Sequence, residues 1–320
     1  MPTRWYTLLM KVRAALIGLG TNAANYRDGL LDSQSIELVV ICDLNADAAS
    51  RKYYEKIPFV NDYKRIPDLF DVDLVFVVTP PKSHFEIGSF FIGKGIPVVL
   101  EKPPFGKYSD LSRLDDVSSR YHTFWMTAYH WQYGPEIEYL KTMMPNLGKL
   151  LSAKTTIFDP YYEQDHILPN KVNLLGAWLD SGSNALSVFN YLFRDLKPKL
   201  IHRDFNIDAE TKMPFYANVV FKGDGNTVFS IEIDWTKHIN LKRSVYEFEN
   251  AVITVEHSDQ SVYKDGRLLA SFHDRPRLLN HYFHMLCRFS SQELIDRQMN
   301  TETLQFMYEV NENGKNIQQN

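Results

Sequence analysis

Short apolar runs alternate with amphipathic segments over the first 128 residues, and this alternation predicts a parallel β/α domain. The runs at 11–17, 36–42, 74–78, 97–100 and 123–128 are too short for helices and rich in β-branched residues. Such runs suit strands buried on both faces of a sheet. Between them, 22–31, 46–55 (with Asn45 as its cap), 84–94 (closed by Gly95) and 109–121 read as helices, with a short strand near Phe59 and Val60. Repeated units of this length predict a doubly wound sheet with right-handed crossovers.

The pattern changes after Tyr129. A helix over 135–143 ends near Gly148, and strand-like stretches follow at 150–158, 218–221, 228–234, 244–248 and 251–257. Asp265-Gly266, between two apolar pairs, reads as a hairpin turn. Helices are expected over 180–193 and 277–289. The class is therefore α/β: a Rossmann-type domain over 1–128, then an α+β domain over 129–320 with a large, open, mainly antiparallel sheet. The C-terminal segment is expected to pack back between the two domains, with residues 311–320 as a short terminal element and loose tail. Helices on one side leave the other sheet face open, which pairing with a second copy would cover.

Bulk properties narrow the function classes. A chain of 320 residues has room for two cores. Its net charge of −4, without a basic run, gives no electrostatic reason to expect nucleic acid or a membrane surface. No apolar stretch reaches the roughly 18 residues of a membrane span. Cys42 and Cys287 alone provide neither a disulfide framework nor metal-ligand spacing, so no metal is expected, and two reduced thiols fit a cytoplasmic protein. The first ten residues lack a signal-peptide core, and Met1 and Met10 both stand as possible starts.

The chemistry begins where the first strand empties into Gly18-Leu19-Gly20-Thr21-Asn22-Ala23. The first glycine permits a tight turn, the second lets backbone approach a pyrophosphate, and Ala23 allows close helix–strand packing. Asp43, 23 residues after Gly20, ends the second strand where a carboxylate would accept a ribose 2′,3′-diol. That acid repels a 2′-phosphate and no arginine follows at once, so NAD is expected over NADP; Arg51 reads as a surface residue. Two later strand ends carry Thr79-Pro80 with His84, and Glu101-Lys102-Pro103. Thr79 suits the lining of the cofactor cleft, whereas His84 fits a cofactor contact or a packing role equally. Lys102, an ammonium at the end of a buried strand, suits holding or deprotonating a substrate hydroxyl. In the second domain Asp180 and Asn184 share a helix face around Gly182; from spacing alone, helix capping explains Asp180 best.

The ordered set of Gly18-x-Gly20-x-x-Ala23, Asp43, Thr79-Pro80, His84, Glu101-Lys102-Pro103 and Asp180-x-Gly182-x-Asn184 resembles the glucose–fructose oxidoreductase/inositol dehydrogenase (Gfo/Idh/MocA) family. The likeness runs over nearly the whole chain and includes 303–314, which looks like that family's final helix and turn. Asparagine at 184, where most members carry histidine, looks more like the L-arabinose/D-galactose 1-dehydrogenase branch. Residues 129–133 and Asp234-Trp235 align with sugar-pocket segments of that branch. The resemblance implies oxidation of an aldose at C1 to a lactone, with hydride passing to a nicotinamide. It implies a proton acceptor in Lys102, Asp180 or the two as a coupled pair, with Lys102 as hydroxyl-holding partner and Asp180 as relay the favoured arrangement, and Asn184 as an orienting group. It also implies His130 on a ring hydroxyl and Trp235 stacked on the sugar, although Trp235 suits a core aromatic as well. Gln132 stands where the related dehydrogenases have arginine, and 157–168 does not match the arabinose enzyme's strand. An inositol or nucleotide-sugar hydroxyl therefore remains an alternative substrate, and an NAD-binding sensor an alternative role.

Overall fold

The computed structural model describes residues 11–193, 197–223, 227–288 and 297–312. The question of the starting methionine, Phe289 and the tail beyond 312 lie outside the described residues. Contacts divide the chain into two compact units. One takes the chain up to Phe105, then Ser109–Ala128 and the stretch from Tyr282; the other takes Gly106–Tyr108, Tyr129–His281 and the C-terminal helix.

The first unit holds a six-stranded parallel sheet. Its strands are β1 (Val12–Ile17), β2 (Ile36–Cys42), β3 (Phe59–Val60), β4 (Leu74–Val77), β5 (Val98–Glu101) and β6 (Trp125–Ala128). They run in the order β3-β2-β1-β4-β5-β6, the order of dinucleotide-binding sheets. Residues 14–16 of β1 and 75–77 of β4 are fully buried, as expected for strands covered on both faces. The helices are α1 (Arg27–Leu31), α2 (Ile66–Leu69), α3 (His84–Ile92) and α4 (Tyr108–Arg120).

Two expected helices of this unit change form. Only 27–31 of the span 22–31 is α-helical, preceded by a 3₁₀ segment over Thr21–Tyr26. There the Tyr54 hydroxyl donates to the Ala23 carbonyl at 2.7 Å, and the Arg27 amide turns to Ala24 instead. The helix over 46–55 reduces to turns and one 3₁₀ turn at Arg51–Tyr53. Asp43 and Asn45 draw nearby amides into side-chain turns, at 2.8 and 3.0 Å. The Ser50 amide, needed for the helix, donates to Leu19 O at 2.8 Å. That tertiary acceptor takes from the ladder an amide the helix would need.

The second unit adds α5 (Pro135–Met143), β7 (Leu150–Phe158), a small hairpin of β8 (Tyr162–Glu163) and β9 (His166–Ile167), and α6 (Ser183–Leu192). Strands β10 (Lys199–Ile207), β11 (Pro214–Lys222), β12 (Val228–Asp234), β13 (Leu241–Phe248), β14 (Ala251–Glu256), β15 (Ser261–Lys264) and β16 (Arg267–Ser271) follow. The chain continues with α7 (Arg277–Arg288) and α8 (Arg297–Glu312). Eight strands form one sheet in the order β10-β11-β12-β7-β13-β14-β15-β16. The sheet is mixed: β12 lies parallel to β7, and the other described pairs are antiparallel. Aromatic packing seats α6 on it, with Phe189 5.1 Å from Phe229 and 6.2 Å from Tyr246 between ring centroids. Burying such a ring contributes about 2 kcal/mol. On the strands, Leu151, Ile201, Val252 and Leu268 remain exposed.

Candidate functional site

The dinucleotide loop leaves β1 at the point where strand order reverses between β1 and β4, the crevice in which open α/β sheets bind ligands. Gly18 has φ +93°, and a Cβ there would lie 2.7 Å from the Thr79 amide nitrogen. The loops after β1 and β4 thus meet at a backbone approach that only glycine allows. Gly20 differs: a Cβ on it would meet nothing within 4 Å, so the space before the loop is open to a ligand. The loop is fixed from behind, where the Ser50 hydroxyl donates to Gly20 O at 2.7 Å.

Asp43 closes the other side. Its carboxylate accepts the Leu19 amide at 2.7 Å and the Asn45 amide at 2.8 Å. A carboxylate has about four acceptor sites, so two remain for a ribose diol. Open space at Gly20 and spare acceptors on Asp43 fit a dinucleotide. Arg51 is occupied elsewhere, its guanidinium 4.4 Å from the Phe59 ring centroid. The Cys42 thiol beside Asp43 is pushed up to about 12, by burial first and then by Asp43.

At the end of β4, Thr79 receives the Ser83 hydroxyl at 2.8 Å on its own hydroxyl. His84 is fully buried, with Nδ1 2.9 Å from Pro104 O and Nε2 2.6 Å from Thr79 O. Burial lowers its imidazole to about 4, against two carbonyls that favour the cation. Burial outweighs the two carbonyls, so at neutral pH the ring is uncharged and one nitrogen donates. The ring braces the loop after β4 against the loop after β5, which favours the packing role over a direct cofactor contact.

Glu101 ends β5 with 6% exposure. It accepts the Tyr26 hydroxyl at 2.7 Å, the Tyr282 hydroxyl at 2.9 and 3.0 Å, and the Lys102 amide at 3.0 Å. Burial pushes its carboxyl up, opposed by the charge of Lys102 and by both phenols. Lys102 follows, partly buried, at the same carboxyl edge of the sheet as the glycine loop and Asp43. The sequence did not single out Tyr26 or Tyr282. Their partner is 75 and 181 residues away, and no local pattern reports such a pairing.

In the second unit Asp180 lies within a π turn, Trp178–Gly182, that leads into α6. This corrects the capping account: no side chain caps the π turn or α6. Gly182 is required by its own turn, because a Cβ there would lie 2.5 Å from Trp178 Cε3. Asp180 is buried and accepts the Ser181 hydroxyl at 3.3 Å. Its charge also acts on Asp159, Tyr161 and Lys242. Asn184 is 5% exposed, and among the described residues no hydrogen-bond partner reaches its Oδ1. An unsatisfied buried amide oxygen is costly and needs an explanation, such as a donor from a ligand. π turns are frequent at functional sites.

His130 is buried, its ring centroid 5.8 Å from that of His281. Trp235 has no exposed surface and meets Tyr161 edge-on at 5.3 Å. With neither face open, Trp235 packs as a core aromatic rather than a platform for a sugar. Among the described residues there is no cluster of His, Cys, Asp and Glu suited to a metal, and no helix long and apolar enough to cross a membrane.

Residues 12–129, which hold the glycine loop, Asp43 and Lys102, match the Gfo/Idh/MocA family model, described as an oxidoreductase family with an NAD-binding Rossmann fold. The N-terminal domain belongs to this family. Among curated relatives, a glycosyl hydrolase family 109 protein of Streptomyces niveus is 30% identical over 174 residues, 48% of this chain and 35% of that protein. The rhizopine catabolism protein MocA of Rhizobium meliloti is 24% identical over 136 residues, 42% of each chain. The alignments thus span less than half of these relatives. Over the whole fold, the inositol dehydrogenase homolog of Azotobacter vinelandii, solved with NADH and myo-inositol, superposes with a TM-score of 0.78. It covers 93% of this chain and 94% of its own at 15% identity, a likeness of fold.

Proposed function

We propose that this chain is an NAD-dependent dehydrogenase of a sugar or polyol hydroxyl, with an aldose of galactose or arabinose type, oxidised at C1, as the first substrate class. One observation carries the reading: Glu101 and Lys102 stand at the carboxyl edge of the sheet that also presents Gly18–Ala23 and Asp43. A cation fixed there belongs beside the reacting end of a dinucleotide rather than in bulk solvent.

NAD would be held by the Gly18–Ala23 backbone, with Asp43 on the adenosine ribose and Thr79-Pro80 along the cleft. When bound, it supplies the hydride acceptor. Lys102 binds the substrate hydroxyl and polarises its O–H bond, which eases loss of hydride from the same carbon. Asp180 serves as the proton relay. Asn184 does not titrate in the useful range, so it orients the substrate through the acceptor left open on its amide. Pairing of second copies through the exposed sheet face would give a homodimer or homotetramer.

The test is reduction of NAD, followed by absorbance, against aldoses, polyols, nucleotide sugars and glycosides. Turnover of a free aldose with lactone release supports the C1 assignment, and turnover confined to inositols or nucleotide sugars moves it to another hydroxyl. Failure of every substrate with NAD binding intact would indicate a sensor. Lys102→Ala is expected to lower kcat by roughly 10- to 100-fold, the weight of a hydrogen bond to a charged group, with NAD affinity within about threefold. An unchanged kcat removes Lys102 from the mechanism.

A further inference from the structure

Tyr282 lies on α7, remote in sequence from the dinucleotide loop and from Glu101, yet its hydroxyl touches both. It donates into the Glu101 carboxylate, 3.0 Å from Oε1 and 2.9 Å from Oε2. It accepts from the Asn22 side-chain amide at 3.2 Å. A phenol has one proton and two lone pairs, and these contacts use it in both senses. Asn22 stands two residues after Gly20, inside the loop that would hold the pyrophosphate. Glu101 Oε1 in turn holds the Lys102 amide at 3.0 Å.

The path is rigidly mounted. Tyr26 and Tyr282 are both buried, with ring centroids 4.7 Å apart. Helix α7 sits so close to α1 that a Cβ on Gly29 would lie 2.5 Å from Leu286 Cδ1. Tyr26 supplies a second donor to Glu101, whereas the Asn22 amide donates to Tyr282, so the two phenols are separable. Satisfying a buried carboxylate would explain Tyr26 alone. It does not explain why the second donor also takes the amide of a loop residue.

We infer that Tyr282 is a positioning residue, coupling the occupancy of the dinucleotide loop to the placement of Lys102 through Asn22, its own hydroxyl and Glu101. This rests on the dehydrogenase reading for its purpose, but not for its measurement. A loop that shifts Asn22 on binding pyrophosphate alters the partner of the Tyr282 hydroxyl. The carboxylate that holds the lysine's backbone then adjusts. The lysine is set for its substrate when the cofactor is present, which favours cofactor binding first.

Amide hydrogen exchange, read by mass spectrometry with and without NAD, tests the coupling without turnover. In the wild-type protein NAD should slow exchange by several-fold in the peptide covering 18–26 and in that covering 98–105. In Tyr282→Phe, protection at 18–26 should persist while the response at 98–105 is lost. Asn22→Ala, which leaves both phenols on Glu101, should lose the same distal response, and Tyr26→Phe should retain it. With a substrate the wild type turns over, Tyr282→Phe should lower kcat by roughly 10- to 100-fold, the weight of a hydrogen bond to a charged group, with the Kd for NAD within about threefold. An unchanged 98–105 response in Tyr282→Phe and Asn22→Ala overturns the coupling, as does a wild-type response limited to 18–26. A coupled response in a protein that oxidises no substrate overturns the dehydrogenase reading instead. Protection in neither peptide removes both.

Discussion

The Asp43 carboxylate accepts the Leu19 amide at 2.7 Å, so the acid expected to hold the ribose also holds the middle of the glycine loop. Asp43→Ala should therefore do more than remove a ribose contact. Hydrogen bonds to a charged group contribute about 1.5–3 kcal/mol, which corresponds to roughly 10- to 100-fold in affinity. NAD titration should show that weakening, and the NADP-to-NAD affinity ratio should rise as the repulsion towards a 2′-phosphate disappears. Equal loss for both cofactors would leave Asp43 a structural role only.

Gly18 and Gly20 should fail in opposite ways when a methyl is added. Gly18→Ala forces φ +93° on an L-residue and drives Cβ to 2.7 Å from the Thr79 amide, so thermal stability should drop by about 2–4 kcal/mol. Gly20→Ala has φ −67° and open space, so its melting temperature should stay within a few degrees of the wild type. The same methyl enters the space proposed for pyrophosphate, and NAD affinity should fall by at least about tenfold. A stable Gly20→Ala protein with wild-type affinity would place the phosphates elsewhere.

His84 gives the fold an acid limit. Its imidazole is lowered by burial to about 4 from 6.5, so the unfolded chain binds the proton first. Its contribution is complete above pH 6.5 and is lost as pH falls from 6.5 towards 4. A shift of this size is about 3 kcal/mol, at 1.36 kcal/mol for each pH unit. Denaturant melts at pH 7 and 5 should show the decline, and His84→Gln, though less stable at pH 7, should show a shallower one. Parallel slopes would mean that the ring is already charged in the native protein.

The second unit should be acid-sensitive for a related reason. Glu136, buried on α5, has Oε1 3.3 Å from His257 Nδ1 and 2.9 Å from His281 Nε2. Burial pushes the carboxyl up, but the two histidines outweigh it and the net direction is down. Burial lowers His257, against the pull of Glu136. Both depressed groups stabilise the fold at higher pH. The His257 part is lost as pH falls below 6.5, and the Glu136 part as it falls below 4.5. Glu136→Gln should flatten the stability profile below pH 4.5, and calorimetry from pH 7 to 3 would show whether it does.

Periodicity reported what burial enforces. The run 150–158 became β7 with the expected limits because alternate residues face a covered sheet side, and 74–78 became β4 because both its faces are covered. Strand β10 escaped because Lys199–Ile207 places His202, Arg203, Asp204 and Asn206 on a largely exposed outer strand, where no apolar alternation is required. The helix expected over 46–55 failed where the Ser50 amide took Leu19 O in place of a helical carbonyl. The glycine loop, Asp43 and Glu101-Lys102 were legible because they are contiguous motifs. Tyr26 and Tyr282 were not, since only the fold brings them to Glu101.

The parallel pairing of β7 with β12 also bears on how substrate preference can change over evolutionary time. Parallel neighbours demand a crossover, and here it carries the β8–β9 hairpin, Asp180 and Asn184. Sheet register pins both ends of that excursion, while loops within it tolerate insertion at little thermodynamic cost. The hairpin can therefore lengthen, shorten or change composition while Asp180 and Asn184 stay anchored by the packing of α6. Diversification would concentrate in the stretch from Asp159 to Leu174, leaving Asp180 and Asn184 where the packing of α6 holds them.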